Sequence, residues 1–212
     1  MSRLISGSFV TGGTALLAGS ALHPHEHVDN GTLEEQFHAM FRDSHWYPAH
    51  VLLLVGLALM TVAVVGLARR APASLPRRTR KFVAIATAVG TAAMGLHLLA
   101  KLDDAHIMAG ESTPLLYTHA AVETVTVPIL GIAFAMLAVT GGRSRVLGNP
   151  FVAVLGVVGG LGYALAGVTA PFMSTFTPLF DLVSLVGVWA MVVGAIQLDR
   201  ERRARILQEV AR

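Results

Sequence analysis

The sequence predicts an all-α fold: a polytopic membrane bundle of six transmembrane helices forming a single membrane domain over 1–212. Three observations predict it. Of 212 residues, 54% are hydrophobic and only 14% charged, whereas a soluble domain ordinarily carries about a quarter. The apolar residues fall in six blocks, 4–22, 46–68, 82–100, 116–139, 150–170 and 178–198. Each is about 19–24 residues long, enough for a helix to cross ~30 Å of hydrocarbon. Of the 16 Lys and Arg residues, all but Arg42 and Lys101 fall on one side of a six-span map. With no cysteine in the chain, disulfides, thiolate metal sites, iron–sulfur clusters and cysteine nucleophiles are excluded.

The first block, "SGSFVTGGTALLAGSA", is the most polar. A single Arg precedes it, Gly12 and Gly13 interrupt it, and no clean small-x-small cleavage site closes it, so an uncleaved helix is expected rather than a signal peptide. The loop that follows reads "HPHEHVDN" at 23–30. His23, His25 and His27 alternate at period two and fall on one side of an extended chain, a pattern that captures copper or zinc loosely. A short helix over 33–42 comes next. Thr32 and Glu35 fit a capping box. Leu33, Phe37, Met40 and Phe41 share a face, so the helix is expected to lie in the membrane interface.

The second block opens with "WYPAH", and Trp46, Tyr47 and Tyr117 fit an aromatic belt. Pro48, Pro114 and Pro178 sit where the first turn of a helix tolerates proline. The fifth block carries small-x3-small spacings at 156, 159, 160, 162 and 167, which let helices pack closely. The chain is also readable as three repeated hairpins. Blocks one, three and five begin "FVTGGTA", "FVAIATA" and "FVAVLGV". The partner blocks each open with a proline and then offer a polar side chain: His50, His119 and Asp181.

Charge sets the orientation. Arg3, the stretch "ARRAPASLPRRTRK", Arg143, Arg145 and the tail "DRERRARILQEVAR" hold all Lys and Arg except Arg42 and Lys101. The positive-inside rule then puts both termini in the cytoplasm of a cell membrane. The sequence pI near 9.8 is therefore a topology signal. Anionic lipid headgroups are the expected counter-charge, and nucleic acid is not an expected partner. All nine histidines fall on the opposite, outer side, together with most of the acids.

That asymmetry points to the candidate site. His50, His97 and His119 lie at similar depth near the outer ends of three helices. Glu123 is one turn below His119, where a carboxylate costs a few kcal/mol unless neutral, paired or hydrated. Pro128 frees the Thr124 carbonyl and offers a kink below this pair. In the third block His97, Lys101 and Asp104 share a face at helical spacing.

Three imidazoles with a carboxylate suit Zn, Fe or Cu. His97 and His119 on facing helices could alternatively ligate haem b. The expected metal set is His50, His97, His119 and Glu123. Asp181 is a secondary member, and the 23–27 histidines form an outer capture tract. Electron transfer or a membrane oxidoreductase step would follow from a redox-active metal, with Glu123 as proton acceptor. Two other classes fit the same residues. One is a proton-coupled transporter titrating at Glu123. The other is a non-catalytic subunit or scaffold that meets a membrane partner or a second copy through its glycine faces. A lipid-modifying enzyme lacks a nameable nucleophile. Phosphate-loop, HExxH, GxSxG and dinucleotide-binding patterns are absent or lack their strand–turn–helix setting.

Overall fold

A computed structural model describes residues 2–24, 32–70, 75–169 and 174–211. Among these the regular structure is entirely helical. Helix α1 spans Arg3–Ala21, α2 Leu33–Arg42, α3 Trp46–Arg70 and α4 Arg77–Leu98, which continues as a 3-10 turn over Leu99–Asp103. Then come α5 (Asp104–Met108), α6 (Pro114–Arg143) and α7 (Pro150–Thr169). A 3-10 segment, Ser174–Leu182, leads into α8 (Val183–Val210). Six of these, α1, α3, α4, α6, α7 and α8, are long and apolar enough to cross a membrane.

The six spans form a closed ring. Each packs against its neighbours in the order α1, α3, α4, α6, α7, α8, and α8 returns to α1. Neighbours run antiparallel. On α1, Gly12 meets α3 near Gly56 and Met60, whereas Gly19 meets Ala49 and Leu53. The ring closes where Gly13 of α1 faces the Gly187 carbonyl of α8 and Gly194 faces Ser6 and Val10. Between α6 and α7, Gly131 and Gly160 each lie against the other's carbonyl oxygen, so neither position has room for a Cβ. Small residues therefore set the helix spacing, as lipid supplies no hydrophobic drive between spans.

The interior is filled from all six spans. Phe9 meets Trp189 edge to face at 6.1 Å, and Met60, Leu57, Phe134 and Leu130 are fully buried around them. Every two consecutive spans pack together, α6 with α7 most extensively, so the contacts do not divide the ring into the three expected hairpins.

The helices differ from the predicted blocks mainly at their ends. Helix α6 reaches Arg143, and α8 runs on through the charged tail to Val210, because Arg, Glu and Gln are good helix formers once the apolar stretch ends. Helix α6 continues unbroken through Pro128. Pro114 takes the first position of α6, as expected, but Pro178 lies inside the 3-10 segment rather than opening α8.

The 3-10 turn over Leu99–Asp103 changes the register between His97 and Lys101, and the Asp104 side chain lies outside the described ones. Lys101 instead donates to the Phe41 carbonyl (3.4 Å). At the opposite end of the bundle, Gln197 is buried and its amide donates to the Val146 carbonyl, tying the α6–α7 loop to α8.

A buried histidine ladder as the candidate functional site

The predicted capping box is present. Thr32 Oγ1 accepts from the Glu35 amide (3.2 Å), and Glu35 Oε2 accepts from the Thr32 amide (2.7 Å). The helix it starts, α2, sits on the bundle rather than simply lying in the interface. Phe37 and Phe41 are buried, and Phe37 meets the His119 ring edge to face at 4.6 Å. Trp46 is fully buried beneath them and stacks on His50 at 4.3 Å. It is therefore not a belt residue, whereas Tyr47 and Tyr117 are exposed. The indole is drawn inward because it completes an aromatic cap with Phe41, 4.5 Å away.

Under this cap four imidazoles form a ladder. His119 of α6 stacks on His97 of α4 with centroids 3.5 Å apart. His97 faces His50 of α3 at 4.9 Å, and His50 faces His23, just past α1, at 5.0 Å. His50, His97 and His119 are 2%, 6% and 1% exposed. Two hydrogen bonds set the ring orientations. His50 Nδ1 donates to the Trp46 carbonyl (2.7 Å), one helical turn earlier. His119 Nδ1 donates to the His97 carbonyl (3.4 Å). Both rings therefore carry the proton on Nδ1 and keep a lone pair on Nε2. His119 Nε2 is buried without a hydrogen-bond partner.

A cavity of about 40 Å³ borders the ladder, room for a few waters. His23, His50 and His97 line it, with Glu123, Asp181 and Tyr163. Glu123 thus faces the cavity from α6, and Asp181 enters from the 3-10 segment, whose carbonyl at Asp181 accepts from Ser20 Oγ (3.4 Å). Phe180 closes the His23 end, stacked at 6.4 Å. The floor is apolar: Leu53, Leu130 and Gly90.

The structure thus brings His50, His97 and His119 to one level and sets Glu123 and Asp181 beside them. His119 stands behind His97 and is not part of the cavity wall. His23 joins the ladder, while His25 and His27 lie outside the described residues. Sequence reasoning missed Ser20, Met94, Tyr163 and Phe180 as cavity residues. Tyr163 carried a signal, being the one polar side chain in the interior of the glycine-rich α7.

His45 and His106 make local pairs instead, with Asp43 (3.0 Å) and Glu111 (2.8 Å). The His45 amide donating to Asp43 lowers that carboxyl's pKa. The Glu111 carboxylate raises that of His106.

Among the described residues no three His, Asp or Glu side chains are grouped so as to hold a metal ion. The ladder rings lie face to face, whereas axial imidazoles meet a haem iron end-on from opposite sides. The cavity is also far below the roughly 300–1,000 Å³ of ordinary cofactor sites. The haem form of the expectation finds no support in this geometry. Compared with known families, curated proteins and solved structures, the chain matches no family model, no curated protein and no solved structure.

Proposed function

We propose that the protein is a cell-membrane protein that binds a transition metal ion (Zn, Fe or Cu) beside the histidine ladder. His23, His50 and His97 supply the nitrogens and Glu123 the carboxylate. His119 is a positioning residue that holds His97 by stacking. The positive-inside rule places this site in the outer half of the bundle, with both termini cytoplasmic.

One observation carries the reading. His50 Nδ1 is committed to a backbone carbonyl, the partner that typically orients a metal-ligating imidazole, and two further imidazoles lie within 5.0 Å of it. Buried ionisable groups in a membrane interior are expensive and mark function by default. Binding requires the rings to turn so that their nitrogens converge, a motion that the broad terminal torsion of histidine permits. The cavity volume suits an ion with a water and no larger cofactor.

A proton-coupled transporter is less well supported. Toward the arginine end Leu57, Met60, Phe134 and Trp189 are buried, and a buried hydroxyl there is tied locally, that of Thr87 donating to the Val83 carbonyl.

The test is metal content after purification, loading with Zn, Cu or Fe(II) salts and desalting. Wild-type protein is expected to retain a stoichiometric ion. His50→Ala/His97→Ala is expected to lose it, and Glu123→Gln to weaken it while keeping the fold. A wild type that retains only traces, or a double variant that retains as much, would sink the proposal.

A further inference from the structure

At the opposite, arginine-bearing end, a groove of about 410 Å³ runs along the seam of α1 and α3, where Ile5 packs on Gly66. Its walls are Leu4 and Ile5 of α1 with Val62, Val65 and Gly66 of α3. Thr61 stands at the deep end, and Arg69 and Arg70 stand at the mouth. Leu4 and Val62 are exposed and Ile5 is buried, so the trough is open along its length.

From Thr61 to Arg70 the helix rises ~14 Å, close to half of a ~30 Å hydrocarbon core. The groove thus runs for the depth of a single leaflet, apolar at chain depth and doubly cationic at headgroup depth. Glu201, a nearby acid, accepts from Ser6 Oγ, on the α8 side of α1 and away from the groove. The cationic mouth is therefore set against an apolar trough with no carboxylate in its lining.

We propose that this groove is a binding site for one anionic phospholipid, with an acyl chain along Leu4, Val62 and Val65 and the phosphate on Arg69 and Arg70. Free phosphate would satisfy the arginines but not the trough, and a zwitterionic lipid would fill the trough but bring a phosphate already offset by its own cation. The guanidinium pair gives the paired N–H donors that phosphate oxygens accept. This site is separate from the histidine ladder and stands or falls independently of it.

The experiment is native mass spectrometry of the full chain, released from detergent with phosphatidylglycerol or phosphatidylcholine of identical acyl chains. A bound phosphatidylglycerol retained about tenfold or more over phosphatidylcholine is expected, the scale of two arginines at a membrane surface. Arg69→Gln/Arg70→Gln should abolish the preference. Val62→Trp, on the exposed wall, should reduce retention of both lipids. Arg77→Gln/Arg78→Gln, outside the groove, should leave the preference intact. Equal retention of the two lipids by wild type overturns the proposal. So does a preference that survives the 69/70 change or disappears with the 77/78 change, or retention indifferent to Val62→Trp.

Discussion

His97 and His119 stack with ring centroids 3.5 Å apart while His119 Nδ1 donates to the His97 carbonyl. The pair joins α4 to α6 through one contact that is at once apolar and polar. It leaves His119 Nε2 buried without a partner. An unsatisfied buried polar atom costs about 1–3 kcal/mol. His119→Phe keeps a ring against Phe37 and Phe41 and removes that atom, so its stability is expected within about 1 kcal/mol of wild type or above it. His119→Ala opens a hole costing about 2–5 kcal/mol, partly offset by the same relief, and should be clearly destabilised. Unfolding in mixed micelles distinguishes the two. Equal collapse of both variants would show that the ring nitrogen is what matters.

Thr32 starts the helix that covers the ladder. Thr32→Ala removes the acceptor of the Glu35 amide and should cost α2 about 1 kcal/mol. Hydrogen exchange should quicken in α2 while the amides of α3 and α6 keep their protection. Uniform loss of protection, or none, would contradict this local role.

The helix contacts predict opposite outcomes for two glycines. At Gly131 an added Cβ meets the Gly160 carbonyl and the Ala164 backbone. Gly131→Ala should therefore destabilise by about 1–3 kcal/mol. Around Gly95 nothing lies within 4 Å, and Gly95→Ala should stabilise α4 by about 0.5–1 kcal/mol. Melting temperatures of the pair in the same detergent check both signs.

Two surface pairs respond to pH in opposite directions. Bonding to Glu111 lifts the His106 pKa above the ordinary imidazole range. That pair contributes fully below the ordinary value and is lost as pH rises through the lifted one. Asp43 is lowered, chiefly by the His45 amide. Its contribution is present above the ordinary carboxylate range and is lost as pH falls through the lowered value. His106 is exposed and Asp43 partly so, and the effects on stability of such surface pairs are small. Histidine NMR titration should place His106 above the ordinary imidazole value, and Glu111→Gln should bring it down.

Much of this arrangement was legible in the residues. Length and hydropathy marked the six spans, since few other segments carry some twenty apolar residues without charge. The shared depth of His50, His97 and His119 followed from counting turns from the span ends, and Thr32 with Glu35 announced α2. His23 was hidden because it follows a helix end and looks like the start of a polar tract. Its ring turns inward only because Phe180 and His50 are there to receive it. Trp46 read as a belt residue because position in a span does not show what sits on top of it. The pairing of α1 with α8 had no local signature either. Gly13 and Gly187 lie 174 residues apart, and a glycine notch says that something fits without saying what.

The return of α8 onto α1 bears on how the molecule is made. Spans enter the bilayer in the order of synthesis, so α1 waits, its notch at Gly13 unfilled, until the last span has left the ribosome. Asp181, Phe180 and Val183 contribute to the cavity and arrive only then. A nascent chain therefore lacks the wall of the cavity that Phe180, Asp181 and Val183 supply. Chains stalled before α8 would present an unzipped glycine face, which is the kind of feature by which membrane quality control recognises an orphan.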